Sequence, residues 1–147
     1  MYRVDKIQTR ADLEAAYSVR REVFVDEQRV PEELELDEHD EAPGTIHFLA
    51  RDGEDKVVGT ARLRPYGEAG VAKVERVAVQ RALRGSGIGR LLMEAVEAEA
   101  ARLGFKKLVL YAQAHARGFY EKLGYRAYGE PFDEAGIEHI AMDKPMR

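Results

Sequence analysis

Three glycines at alternate positions, Gly85, Gly87 and Gly89, lie between Arg84 and Arg90, with Ser86 and Ile88 interleaved. A backbone of this kind turns sharply and comes close to a ligand, and the apolar periodicity that starts at Ile88 makes the turn the entry to a helix. A strand that runs through such a turn into a helix presents unpaired amides and the positive end of the helix dipole to an anion. Arg84 and Arg90 add positive charge. The chemistry this suits is the binding of a pyrophosphate, against the plainer reading that the glycines only make a tight turn. Two other phosphate motifs fail. A Walker loop ends in Gly-Lys-Ser or Gly-Lys-Thr, whereas Gly89 is followed by Arg90 and Leu91. A dinucleotide fingerprint needs G-x-G-x-x-G and a ribose-binding acid after the next strand; here the spacing is G-x-G-x-G and that strand ends Tyr111-Ala112.

His115 and His139 are of a type suited to proton transfer or acceptor contact, or simply to a structural hydrogen bond. They lack the spacing of a metal pair, and no metal is expected. The absence of cysteine excludes disulfides, thiolate metal sites and an acyl-cysteine intermediate. A formal net charge of -4 argues against nucleic acid as a partner, since backbone phosphates call for a clustered basic surface. No run is long and apolar enough for a membrane span, and residues 1–7 lack the apolar stretch of a secretory signal, so the expected location is cytoplasmic. Residues 32–41 hold seven carboxylates in ten positions. They read as a solvated loop.

The elements that must position these residues follow from periodicity. Residues 2–7 alternate as a strand, and Thr9 can cap a helix with Asp12 as its third-position acid. Leu13, Tyr17, Arg20 and Phe24 fall on one face of that helix. Residues 28–45, with Pro31, Pro43 and Gly44, read as loop with at most one helical turn. Residues 46–51 and 57–63 form strands around the turn 52–55, and 72–79 a third. Alternation along 72–79 puts Lys73, Glu75, Val77 and Val79 on one face. A helix from Ile88 to Leu103 ends at Gly104; 108–111 is a buried strand, 113–123 a helix closed by Gly124, and 125–129 and 137–143 are strands. The order β-α-β-β-β-α-β-α-β-β is an α/β layout around one sheet. At 147 residues, with 45% apolar and 34% charged residues, it fits a single domain spanning 1–147.

The run 74–79 followed by Arg84-x-x-Gly87-x-Gly89 resembles the strand and coenzyme loop of GNAT N-acetyltransferases, and 119–125 is similar to their later helix. Segments 21–28, 112–115 and 136–142 resemble the ElaA-like and YjcF-like branch of that family. The resemblance implies an acyl-CoA N-acyltransferase fold, a mixed, mostly antiparallel sheet of about six to seven strands flanked by helices. It implies acetyl-CoA as co-substrate and direct transfer to an amine of a small molecule, or of a protein, in a chain that can form a homodimer. Coenzyme contacts would come from Val77, Ala78 and Val79 for the pantetheine arm, from Arg84, Gly85, Ser86, Gly87, Ile88, Gly89 and Arg90 for the pyrophosphate, and from Gln113, Phe119 and Tyr120. Many members have asparagine where Gln113 stands. Glu75 would be the base, or else a strand carboxylate paired with neighbouring cations, and Tyr120 the proton donor to the thiolate. Phe24, Gln28, His115 and His139 are the acceptor-side candidates, and by the same resemblance the segment 32–41, anchored by Leu34 and Leu36, would border the acceptor pocket and favour a cationic amine. A coenzyme-sensing module without turnover and an acyl-homoserine-lactone synthase are the alternatives.

Overall fold

The computed structural model describes residues 1–146. Runs rich in β-branched and aromatic residues build seven strands: β1 (Arg3–Lys6), β2 (Ile46–Arg51), β3 (Val57–Pro65), β4 (Val71–Val79), β5 (Lys107–Gln113), β6 (Arg126–Glu134) and β7 (Ile137–Pro145). They form one sheet in the order β1-β2-β3-β4-β5-β7-β6. Every pairing is antiparallel except β4 with β5, whose crossover is helix α3 (Ile88–Arg102). Helices α1 (Arg10–Arg20), α2 (Glu32–Glu35) and α4 (Arg117–Lys122) complete the mixed α/β architecture.

Helix α3 keeps the period read from the sequence. Ile88, Leu92, Met93, Val96 and Ala100 are buried against Phe48, Val58, Leu63, Val74 and Leu108 on one sheet face. Each larger side chain of this set stabilises the fold by roughly 1.5–3 kcal/mol through burial. On the other face α1 packs over β2, β3 and β4. Its N-cap is the expected one: Thr9 Oγ1 accepts from the Asp12 amide at 3.1 Å. The helix then runs without a break into a π-helical stretch, Arg21–Glu27, which brings Val23 onto Ala78 and turns Phe24, Glu27 and Gln28 toward a cleft.

Strand β4 departs from simple alternation. Arg62 pairs with Glu75 but Thr60 pairs with Ala78, so β4 carries one extra residue, and Arg76 takes it up at φ 57°. Lys73 and Glu75 therefore share a face, but Val77 and Val79 pack on the main core, and Ala78 faces Val19 and Val23. A left-handed arginine costs about 1 kcal/mol or more, and here its guanidinium holds the carbonyls of Leu34 and Glu35 and the Asp37 carboxylate. Parallel pairing of β4 with β5 runs from Val71–Lys107 to Val74–Leu110 and ends there.

Other boundaries shift. The expected helix 113–123 is shorter: β5 reaches Gln113, a 3₁₀ turn covers Ala114–Ala116, and α4 follows. β6 runs on past residue 129 through a register shift between Tyr128 and Phe132.

Candidate active site

Where β4 leaves β5, a cleft of about 1060 Å³ opens between α1 with its π-helical extension, the start of α3, α4 and the ends of β5 and β7. Val77, Ala78 and Val79 line it; Ala78 lies opposite Thr60 of β3, pairing of β4 with β5 ends at Val74, and the edge of β4 beyond that point faces the cleft, where the Val79 carbonyl accepts from Arg84 Nε at 3.1 Å. At one end lies the glycine turn. Gly87 caps α3 at φ 93° with no capping side chain, and the first amide to return to it is that of Leu91. The amides of residues 88–90 thus point outward at the positive end of a fifteen-residue helix. Gly89 answers a different need. A Cβ there would lie 3.2 Å from Phe119 Cζ, so any larger residue would push the Phe119 ring of α4 outward.

The expected coenzyme residues Arg84, Gly85, Gly87, Ile88, Gly89, Arg90, Gln113, Phe119 and Tyr120 all line this cleft, whereas Ser86 turns back and donates its hydroxyl to the Leu83 carbonyl. Arg84 forms a two-pronged ion pair with Glu27, with Nη2 at 2.7 Å from Oε1, a partner the sequence did not suggest. Arg90 pairs with Glu94 one helical turn on. The acceptor-side candidates Phe24, Gln28, His115 and His139 line it too. Gln28 and Gln113 exchange amide hydrogen bonds of 3.1 and 2.8 Å, so two residues assigned to different ligands form one bridge between the π-helical stretch and β5.

Tyr120 is 8% exposed, its ring set between Phe119 and Tyr125. Burial alone pushes its phenol well above the ordinary value, which keeps the proton on oxygen. His139 Nδ1 lies 2.7 Å from the Ile137 carbonyl, which can only accept, so Nδ1 carries the hydrogen and Nε2 a lone pair. Glu134 stands 3.9 Å from that Nε2.

Glu75 lines the cleft in a different condition. Burial would raise its carboxyl, but the Arg64 fork, at 2.6 and 3.1 Å, and the charges of Arg62 and Lys73 hold it down at about 2. The neighbouring acids are equally committed. Arg20, fully buried, binds Glu35 and Asp40 at 2.6 Å each, and Arg62 binds Asp37 and Asp40 at 2.8 Å. The segment 32–41 is therefore solvated only in part, through the exposed Glu32, Glu33, Glu38 and Glu41. Its carboxylates Glu35 and Asp40 are the buried anchors, and Leu34 and Leu36 are exposed, the reverse of the expected polarity, because buried arginines on α1 and β3 need counter-charges. The segment does border the cleft through Leu34, Asp37 and His39. Arg64 and Tyr111 are wall residues that sequence reasoning missed, beside Lys73, whose face it had placed; alternation along β3 and β5 was the signal that could have found them.

The model of the acetyltransferase (GNAT) domain family matches residues 7–146 of this chain. The chain belongs to the GNAT acetyltransferase family. This GNAT protein is 43% identical over 133 residues to the uncharacterized N-acetyltransferase YjcF of Bacillus subtilis, covering 90% of this chain and 91% of YjcF. It superposes on the crystal structure of Escherichia coli ElaA with a TM-score of 0.87 at 29% identity, over 98% of this chain and 99% of ElaA. An acyl-CoA N-acyltransferase of Pseudomonas aeruginosa gives a TM-score of 0.87 at 32% identity, over 98% of this chain and 99% of that one. The ElaA and YjcF branch is thus the right neighbourhood for this GNAT chain, and the enzyme is an acyltransferase with the acyl-CoA N-acyltransferase fold. Among the described residues no group of side chains could hold a metal ion, and no helix is long and apolar enough to cross a membrane.

Proposed function

We propose that the protein is an acetyl-CoA-dependent N-acetyltransferase acting on an amine. The observation that carries this reading is the open edge of β4 past Val74, set beside the uncapped start of α3 in one cleft. The edge of residues 77–79 suits the amide-bearing pantetheine arm, and the outward amides of 88–90 suit the pyrophosphate. For Arg84 to reach a phosphate it must leave Glu27, so coenzyme binding exchanges one anion for another there. Acetyl-CoA held in this way supplies an acetyl thioester, which an amine can attack with loss of the CoA thiol.

The chain's own residues then manage the protons. His139, with its tautomer fixed by the Ile137 carbonyl, offers Nε2 to the proton that the amine must lose. Tyr120, kept neutral by burial, offers its hydroxyl proton to the departing sulfur. Glu75, held at about 2 by three cations, is a weak proton acceptor at neutral pH, so we assign it to ordering Arg62, Arg64 and Lys73 and not to proton removal. The test is CoA release from acetyl-CoA over a panel of amines, alongside calorimetric titration of CoA. Binding of CoA with no turnover of any amine would leave a sensing module; absence of CoA binding would sink the reading.

A further inference from the structure

Lys73 has no part in the proton chemistry above, yet it occupies an unusual position. The residue is 7% exposed and lines the cleft on the face of β4 that also carries Glu75. Its ammonium lies 3.6 Å from the centre of the Tyr111 ring and 4.8 Å from that of Tyr66. Among the described residues its one ion pair is to Glu75 Oε2 at 3.4 Å, outside hydrogen-bonding geometry. That carboxylate is already taken. Arg64 grips both its oxygens and Arg62 one of them. Arg62 has Asp37 and Asp40 besides, whereas Arg64 and Lys73 have only Glu75 between them. Two cations therefore share one carboxylate at a cleft wall.

An ammonium has three donors, and Lys73 Nζ, which opens on the cleft, makes no hydrogen bond among the described residues. Beside it, the hydroxyls of Tyr66 and Tyr111 lie 2.9 Å apart; one donates to the other, which leaves one phenol proton for a third group. The wall is continuous with the proposed base. Tyr111 and His139 both line the cleft, and Phe132, which does not, ties them together, stacking 5.9 Å from His139 and meeting Tyr111 edge-on at 5.1 Å, so an aromatic row leads from Lys73 to the imidazole. Unfilled donors and surplus positive charge call for an anionic oxygen group on whatever fills this half of the cleft.

We propose that the acceptor is an amine that also carries a carboxylate, and that this carboxylate docks on Lys73 beside the Tyr66–Tyr111 hydroxyl pair. The amine end then lies along the aromatic row toward His139. This inference rests on the acetyltransferase reading and adds the substrate class. It also departs from the expectation drawn from the acidic segment 32–41, because its buried acids Glu35, Asp37 and Asp40 are bound to arginines, and of that segment's acids at the cleft only the exposed Glu38 has no arginine partner among the described residues.

The test uses matched pairs of amines with and without the carboxylate: phenylalanine against 2-phenylethylamine, and glycine, 4-aminobutyrate and 6-aminohexanoate against the alkylamines of equal chain length. CoA release is read with acetyl-CoA at saturation. In at least one pair the carboxylate member should have a kcat/KM about 10- to 100-fold higher, the range of a charge-assisted hydrogen bond in a desolvated site. Lys73→Met, which keeps the stem, should bring that ratio close to one without changing the CoA dissociation constant, and Lys73→Arg should restore part of it. Equal or lower kcat/KM for every carboxylate member in the wild-type enzyme overturns the proposal, whatever the variants do. A readout without turnover separates it from the acetyltransferase reading: N-acetylphenylalanine and N-acetyl-6-aminohexanoate, titrated into the CoA-loaded protein, should bind at least one of the two more weakly in Lys73→Met by the same factor. If no amine is acetylated although CoA binds, the acetyltransferase reading fails and this titration decides the carboxylate site. Equal affinity of wild type and Lys73→Met for both probes removes it.

Discussion

His139 owes its place in the chemistry to a backbone oxygen two residues away: the Ile137 carbonyl takes the Nδ1 hydrogen and leaves Nε2 as the acceptor. Glu75 is the opposite case, a carboxylate whose lone pairs are spent on Arg62 and Arg64, with the Lys73 charge beside it. The two assignments separate cleanly. If His139 takes the proton, His139→Gln lowers kcat by about 10²-fold or more while CoA affinity is kept. Glu75→Gln lowers activity as well, by disordering its three cations; a loss of kcat of about 10²-fold in Glu75→Gln beside full kcat in His139→Gln would return the role to the carboxylate. Tyr120 makes the complementary prediction at the leaving group. Tyr120→Phe keeps the ring between Phe119 and Tyr125, so CoA binding and fold should survive. Since a thiolate of pKa near 8.5 can also take its proton from water, the loss in kcat should be modest, roughly 10-fold to 10³-fold. Burial raises the folded phenol above its ordinary value of 10.0, so any basic limb due to this tyrosine in the free enzyme lies above pH 10 and vanishes in the variant. Wild-type kcat in Tyr120→Phe would reduce the residue to packing.

At the scale of elements the coenzyme half of the cleft depends on two interruptions, the extra residue of β4 at Arg76 and the left-handed glycine that starts α3. The second can be probed in steps. Gly87 has open space where a Cβ would go but φ 93°, so Gly87→Ala should cost about 1 kcal/mol of stability from backbone strain and weaken CoA binding only slightly. Gly87→Glu adds a carboxylate at the outward amides and should abolish binding by calorimetry. Equal affinity in both variants would place the pyrophosphate elsewhere. The glycines were legible because they punctuate the chain, and α3 because its apolar period continues for four turns. The bulge was not legible: Lys73, Glu75, Val77 and Val79 alternate without fault, and what twists the strand at Arg76 is a set of acceptors on residues 34–37, forty positions away. The same distance hid the acidic segment. Leu34 and Leu36 look like anchors until the buried charges of Arg20 and Arg62, on other elements, claim Glu35, Asp37 and Asp40. Gln28 and Gln113 were each visible as polar residues beside the site, but their pairing arises only when the π-helical stretch meets the end of β5.

Across the whole molecule, the network of Arg20, Arg62, Arg64, Lys73 and Arg76 with Glu35, Asp37, Asp40 and Glu75 ties α1, the segment 32–41, β3 and β4 into one wall of the cleft. Such a network is costly to desolvate and stabilising only while complete, so it links the shape of the cleft to pH. Its sign is definite. Burial raises Glu75, Asp37 and Asp40, but arginine hydrogen bonds outweigh burial and leave all three carboxyls below their ordinary values, with Glu75 at about 2 against 4.5. Groups with depressed folded values contribute stability that is fully present above the ordinary carboxylate range and is lost as pH falls through the folded values. The melting temperature should therefore drop steeply from about pH 4.5 to pH 2. For Glu75 alone the linked stabilisation is on the order of 3 kcal/mol, and removing one partner of a buried ion pair costs a similar amount. Glu75→Gln should thus melt well below wild type at pH 7, and the gap should narrow as the pH is lowered through that window, because the wild-type carboxylate is being neutralised as well. The measurement is a series of calorimetric melts of both proteins from pH 7 to pH 2. Parallel curves with a constant gap would mean that Glu75 supports the wall by packing, with its charge contributing nothing.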